Sequence, residues 1–110
     1  MITIYPTTTF MVHENNEVKN YQVITLSEYL YDQDIDQFFI KNIHVYNQEN
    51  QHIIIDPKDA PTIYLGYYQS HRDITLIFRK DSSGKSWLRH VTKVEFDYKE
   101  NIPNWDDIEI

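Results

Sequence analysis

From Ser86 to Tyr98 the side chains change character at almost every step. Leu88, Val94, Phe96 and Tyr98 fall on one side, with His90 and Thr92 among them. Trp87, Arg89, Lys93, Glu95 and Asp97 fall on the other. A period of two is the repeat of an extended strand, so this run predicts a long strand over about 86–98 with one buried and one wet face. The pattern returns at Thr8, Phe10 and Val12, from Tyr21 to Leu26, from Ile63 to Gln69, and at Ile74, Leu76 and Phe78. Residues 39–47 and 52–56 also read as extended. The vocabulary agrees: β-branched and aromatic residues supply 45 of 110 positions, against one alanine and five leucines. Such residues suit a pleated, half-buried surface better than a long helix.

Polar runs punctuate these strands. Asn tolerates positive φ, so Asn15-Asn16 fits a tight hairpin turn that sets Phe10 opposite Tyr21. The same register opposes Glu14 to Glu17, which is unfavourable, so a longer loop is the alternative. Turns are also expected at 47–51, 70–73 and 81–85, and a loop at 56–61, where Pro57 and Pro61 remove amide donors. One stretch differs. Leu30, Tyr31, Ile35, Phe38 and Phe39 recur at helical spacing, Ser27 can serve as N-cap, Leu26 and Tyr31 can form a hydrophobic staple, and Glu28 suits the first turn. A short helix near 28–37 follows. The fold expected is α+β and β-dominated: an antiparallel sheet of about five to seven strands, strongly curved or closed into a small barrel, packed on that helix. Residues 1–110 read as one domain. The tail after Pro103 is acidic, with Trp105, Ile108 and Ile110 available to dock.

Several chemistries fit poorly. Without cysteine there are no disulfides, thiolate metal sites or cysteine nucleophiles. Asp32-Gln33-Asp34-Ile35-Asp36 imitates the start of a calcium loop, but Gln37 and Ile43 stand where that loop needs glycine and glutamate. Ser83-Gly84-Lys85-Ser86 resembles the end of a phosphate-binding loop, but Arg79 replaces the first glycine and a strand follows instead of a helix. A serine nucleophile on a glycine-lined elbow is not evident, since Gly66 and Gly84 are the only glycines. His13, His44, His52, His71 and His90 form no helical ligand pair. His44 and His52 flank one predicted hairpin and can face each other, but no metal or cofactor is expected.

Charge is more informative. Ten basic and seventeen acidic side chains leave a formal net charge of −7. Residues 71–93 hold six basic against two acidic residues, 28–36 hold four acids and no base, and 94–110 hold six acids against Lys99. Such a bipolar surface suits a macromolecular partner with complementary patches and disfavours direct nucleic-acid binding. The nine tyrosines add interface-forming area. The function expected is therefore that of a small non-enzymatic interaction protein. One concrete form is a phage or mobile-element inhibitor of a host nucleic-acid-processing or defence protein, of the anti-CRISPR or anti-restriction type, presenting carboxylates to a basic channel. Alternatives are a toxin-neutralising immunity protein, a phage structural component, or a small-ligand-binding β-barrel. The partner-binding candidates are Glu28, Asp32, Asp34 and Asp36, with Tyr67, Tyr68 and Trp87. No secretory signal or apolar run of membrane-spanning length is visible, so a cytoplasmic location is expected, in a bacterium or an infected host cell, with no membrane partner.

Overall fold

The computed structural model describes residues 2–81 and 83–99, so the expected docking of Trp105 and the acidic tail lies outside the described residues. Strands β1 (Thr8–Glu14), β2 (Glu17–Thr25), β5 (Ile63–Tyr67) and β6 (Thr75–Phe78) form one antiparallel sheet in the order β1-β2-β5-β6. A second antiparallel sheet has the order β4-β3-β7, from β3 (Ile40–Asn47), β4 (His52–Ile55) and β7 (Val91–Tyr98). Helix α1 (Leu26–Asp32) follows β2, and 3-10 turns occupy Gln37–Phe39 and Pro57–Thr62. The seven strands thus divide into sheets of four and three, and neither closes into a barrel.

The β1–β2 hairpin takes the register its sequence predicts. Asn15 and Asn16 have φ of 49° and 63°, Phe10 pairs with Tyr21, and Glu14 stands opposite Glu17. Two positive φ values are what a two-residue type I′ turn requires. The like-charge clash is relieved by one cation of the hairpin itself and one from outside it: Lys19 Nζ on β2 lies 3.1 Å and Arg89 Nη2 2.7 Å from the Glu14 carboxylate.

The helix is shorter and earlier than 28–37. Its N-cap is Thr25, not Ser27: the Thr25 hydroxyl accepts from the Glu28 amide at 3.0 Å and donates to the Glu28 carboxylate at 3.0 Å, the Thr-x-x-Glu pattern of a capping box closed here through the two side chains. At the other end Asp34 adopts φ 57°, the Ile35 amide donates to the Leu30 carbonyl, and the Asp34 amide donates to the Tyr31 carbonyl. These are the two bonds of a Schellman motif, and Ile35 turns back onto the core that holds Leu30. Helical spacing continued past residue 32 because the second residue after the cap needs an apolar contact too.

The predicted strand over 86–98 is broken. His90 sits at φ 59°, so the run divides into two extended pieces. Before the break, Leu88 bridges Leu76 on β6; after it, β7 pairs with β3. The segment 87–91 thereby joins the edge of the first sheet to the second. It also explains why Trp87 and Leu88 are both buried: Leu88 enters the main core and Trp87 enters a second one. The side assigned to solvent is, at Trp87, an interior.

The main core lies between the two sheets and α1, and includes Ile24, Leu26, Leu30, Ile43, Val45, Leu65 and Leu76. The second core fills the concave face of the four-stranded sheet with Val12, Tyr21, Val23, Ile77 and Trp87, and with Phe10 and Tyr64 packed against them. Here the curl is plain. Trp87 follows β6, yet its ring lies 6.4 Å from Phe10 on β1, and Arg89 reaches Glu14 at the end of β1. The two ends of the sheet meet through side chains instead of backbone hydrogen bonds. The expectation of one β-dominated antiparallel fold with a helix holds in the coarser form of two sheets, and that of a closed barrel does not.

Candidate functional site

The acidic segment forms a ridge between two exposed aromatic rings. Tyr31, at the end of α1, is 82% exposed, and Phe38, in the turn Gln37–Phe39, is 71% exposed. Between them Asp32, Asp34 and Asp36 all face solvent and form no ion pair among the described residues. Asp36 accepts from the Phe38 amide at 2.9 Å and so holds that turn. The Gln37 carboxamide fixes the ridge to the body, donating to the Pro57 carbonyl at 2.6 Å and accepting from the Ser27 hydroxyl at 3.0 Å. An open concavity of about 540 Å³ lies here, lined by Ser27, Tyr31, Asp34, Ile35, Asp36 and Gln37. Past Phe38 the sign reverses: a neighbouring hollow is lined by Lys41, Lys58 and Lys99, and the Lys99 ammonium sits 4.7 Å from the Phe38 ring centre.

The other predicted residues are placed elsewhere. Glu28 does not join the ridge surface. Its carboxylate oxygens accept from Thr7 at 2.8 Å and from Thr25 at 3.0 Å, so the group caps α1 and ties down the N-terminal segment. Trp87 is 6% exposed and donates its indole N–H to the Phe78 carbonyl at 3.2 Å, so it is a core residue and not a surface aromatic. Tyr67 is half-buried against the main core, whereas Tyr68 packs on Tyr21 at 5.6 Å between ring centres. The alternation that puts the two tyrosines on opposite faces is correct, but neither lies on the ridge.

Tyr68 belongs to a polar cleft of about 220 Å³ at the mouth of the curled sheet, lined by Lys19, Tyr21, Ser70, Asp73, Thr75 and Arg89 among others. Its cations are already engaged. Burial pushes the Glu14 carboxyl up, but hydrogen bonds and charge from Lys19 and Arg89 outweigh it and hold the group below its ordinary value. Arg89 also donates to the Tyr21 hydroxyl at 3.2 Å. The cleft is smaller than the roughly 300 Å³ at the low end of ligand pockets. Residues scattered over 14–89 make this network, and nothing in their local sequence announces it.

A sign follows for acid. A carboxyl with a depressed folded-state pKa contributes stability that is complete above its unfolded value and disappears as pH falls through the folded one. Glu14 should therefore supply stability at neutral pH that is lost below its ordinary value of 4.5. Melting curves of the parent and of Glu14→Gln should lie far apart at neutral pH and converge in acid. A constant gap across the titration would show that the ion pairs contribute nothing specific.

A fourth place is the outer face of the three-stranded sheet. His44 and His52 project there from β3 and β4, with His44 Nδ1 2.8 Å from His52 Nε2. On its other side His44 Nε2 lies 2.6 Å from Asp97 Oδ2 on β7. The hydrogen bonds from His44 and then Asn42 hold the Asp97 carboxyl below its ordinary value. Tyr46 stacks on His52, with centres 4.3 Å apart and planes within 7°. The sequence offered the proximity of the two histidines through their places on one hairpin, but not the carboxylate, which arrives from 53 residues away. Among the described residues no group of three or more His, Asp or Glu side chains forms a metal-ligand set. No helix of the described residues is long and apolar enough to cross a membrane. Comparison with protein-family models, with curated proteins and with solved structures finds no match for this chain.

Proposed function

We propose that this chain is a non-enzymatic binding protein that engages a macromolecular partner through the ridge Tyr31–Phe38. The observation that carries the reading is the pair of solvent-exposed aromatic rings at 82% and 71% exposure, with three exposed carboxylates between them in sequence. The aromatic surface left in water adds no burial to the fold, whereas a partner that covers it gains hydrophobic contact and, from Tyr31, a hydrogen-bonding hydroxyl. The carboxylates add selectivity for a protein with a basic, phosphate-seeking surface. An inhibitor of a nucleic-acid-processing or defence enzyme is the version this chemistry suits, with the carboxylates standing where phosphates would lie. The lysines beyond Phe38 call for an acidic counterpatch on the same partner, which fixes its orientation.

The test is affinity capture with three baits: the parent chain, Tyr31→Ala/Phe38→Ala, and Asp32→Asn/Asp34→Asn. Asn also populates the left-handed region, so the second pair leaves the helix terminus intact. One captured protein should be held by the parent at low salt, lost with the aromatic pair, and weakened with the amide pair. Its capture by the parent should also weaken toward 1 M salt, where the screening length falls to about 3 Å. Equal capture by all three baits, or by none, overturns the ridge as the binding surface.

A further inference from the structure

We infer that His44 and His52 form a binding site for a divalent transition-metal ion on the outer face of the three-stranded sheet, with Asp97 as the carboxylate that orients His44. The site is independent of the ridge.

The register explains why the two rings meet. Tyr46 pairs with His52 and His44 pairs with Ile54, so the histidines are diagonal neighbours on one face. Their ring centres are 4.9 Å apart and their planes differ by 23°. Given the 2.8 Å between nitrogens, the rings lie edge to edge in nearly one plane, each nitrogen aimed at the other. Asp97 sets the proton inventory. An ionised carboxylate only accepts, so the His44 Nε2 beside Asp97 donates to it, and in the neutral tautomer this leaves the lone pair of Nδ1 turned toward His52. His52 then offers Nε2, either with a proton that bridges to His44 or, with the proton moved to Nδ1, as a second lone pair. The second arrangement is a pair of neutral imidazoles facing one gap.

Three features favour a cation in that gap. An imidazole whose far nitrogen donates to a carboxylate is the common second-shell arrangement of metal-bound histidine, and it raises ligand basicity. His44 is largely covered, with its side chain 16% exposed, and so is held in place, while His52 is exposed and can tilt. Finally, the nitrogen–nitrogen separation is near what a metal needs, and both rings must also turn so that their lone pairs converge on the ion and not on each other. Metal–nitrogen bonds of about 2.0–2.1 Å at a tetrahedral angle put the two nitrogens about 3.3 Å apart, against 2.8 Å here. Two protein nitrogens leave the remaining positions to water. Glu95, the register partner of His44 on β7, is a second carboxylate of this strand, and Lys93 holds it at 3.1 Å. Imidazole ligation suits zinc, nickel and copper, with copper(II) the tightest of the three. Magnesium and calcium, which prefer oxygen, should not bind.

Isothermal titration of the untagged full chain at neutral pH tests this, with copper(II), zinc and magnesium salts as probes. One copper(II) ion per chain is expected, zinc more weakly, and magnesium not at all. Because His13, His71 and His90 are also present, the assignment rests on variants. His52→Ala, at an exposed position, should weaken copper(II) at least tenfold, and Asp97→Asn should weaken it by about tenfold, with melting temperatures recorded to establish folding. Histidine side-chain NMR should move the His44 and His52 signals together on zinc addition. No binding up to millimolar metal leaves a hydrogen-bonded histidine pair only and overturns the inference. Binding that His52→Ala does not weaken overturns it equally, because the ion then sits elsewhere.

Discussion

Trp87→Ala is expected to destabilise the protein by about 3–5 kcal/mol, the range for truncating a fully packed tryptophan. At about 4–8 °C per kcal/mol for a domain near this size, the melting temperature falls by on the order of 20 °C. The reason is where the indole stands. It lies edge-on to Tyr21 at 5.7 Å and within 6.4 Å of Phe10, two strands that the backbone ladder leaves far from residue 87. Removing it empties the concave face and deletes the apolar contact that draws the two ends of the curled sheet together. Arg89, which reaches Glu14 and Tyr21 from two residues further on, then has no packed wall behind it. Trp87→Phe should cost much less, since it keeps a ring against Tyr21 and gives up the bond from the indole N–H to the Phe78 carbonyl. Thermal unfolding of both variants by circular dichroism decides the matter. A loss below about 1 kcal/mol for the alanine variant would mean that the hydrogen-bonded ladder alone maintains the curl.

How far residues could be placed from sequence depended on whether the cause of their position was local. Asn15-Asn16 names its own turn, and the turn fixes every pair from Phe10–Tyr21 to Glu14–Glu17, so that hairpin was legible. Thr25 and Ser27 are both competent caps, and the choice between them rests on Glu28, which completes a capping box only with Thr25. The break at His90 was not legible, because histidine is enriched at positive φ too weakly to outweigh the alternation on either side of it. With the break went the fate of Trp87: a period of two tells which residues share a face, not whether another part of the chain covers that face. The ridge was half legible. Its three aspartates were found from charge density. Tyr31 and Phe38 were assigned to the helical repeat; Tyr31 lies on the solvent side of α1, and the Schellman turn at Asp34 ends the helix before Phe38 can join it.

Gly66→Ala should also be clearly destabilising, although it adds only one methyl group. Gly66 is buried in β5 and pairs with Val23 on β2. A Cβ there would lie 2.5 Å from Val23 Cγ1, 2.8 Å from the Gln22 carbonyl oxygen and 3.3 Å from Val23 Cβ. Val23 can answer by changing rotamer only into a core where it is fully buried. The Gln22 oxygen cannot retreat without pulling β2 away from β5. Over-packing of this kind costs about 1–3 kcal/mol when side chains give way, and more when backbone must. The glycine is thus required by close approach of two strands, not by an unusual φ, and it sits on the concave side where the curl brings neighbours nearest. A double-mutant cycle separates this cause from a general loss of strand propensity. If the Val23 methyl is the main obstacle, Val23→Ala/Gly66→Ala should be more stable than the sum of the single changes implies, by about 0.5–3 kcal/mol. Part of the penalty should persist in the double variant, because the carbonyl oxygen remains. Strict additivity would remove the Val23 methyl as the obstacle and leave the Gln22 carbonyl oxygen as the group that the added methyl meets.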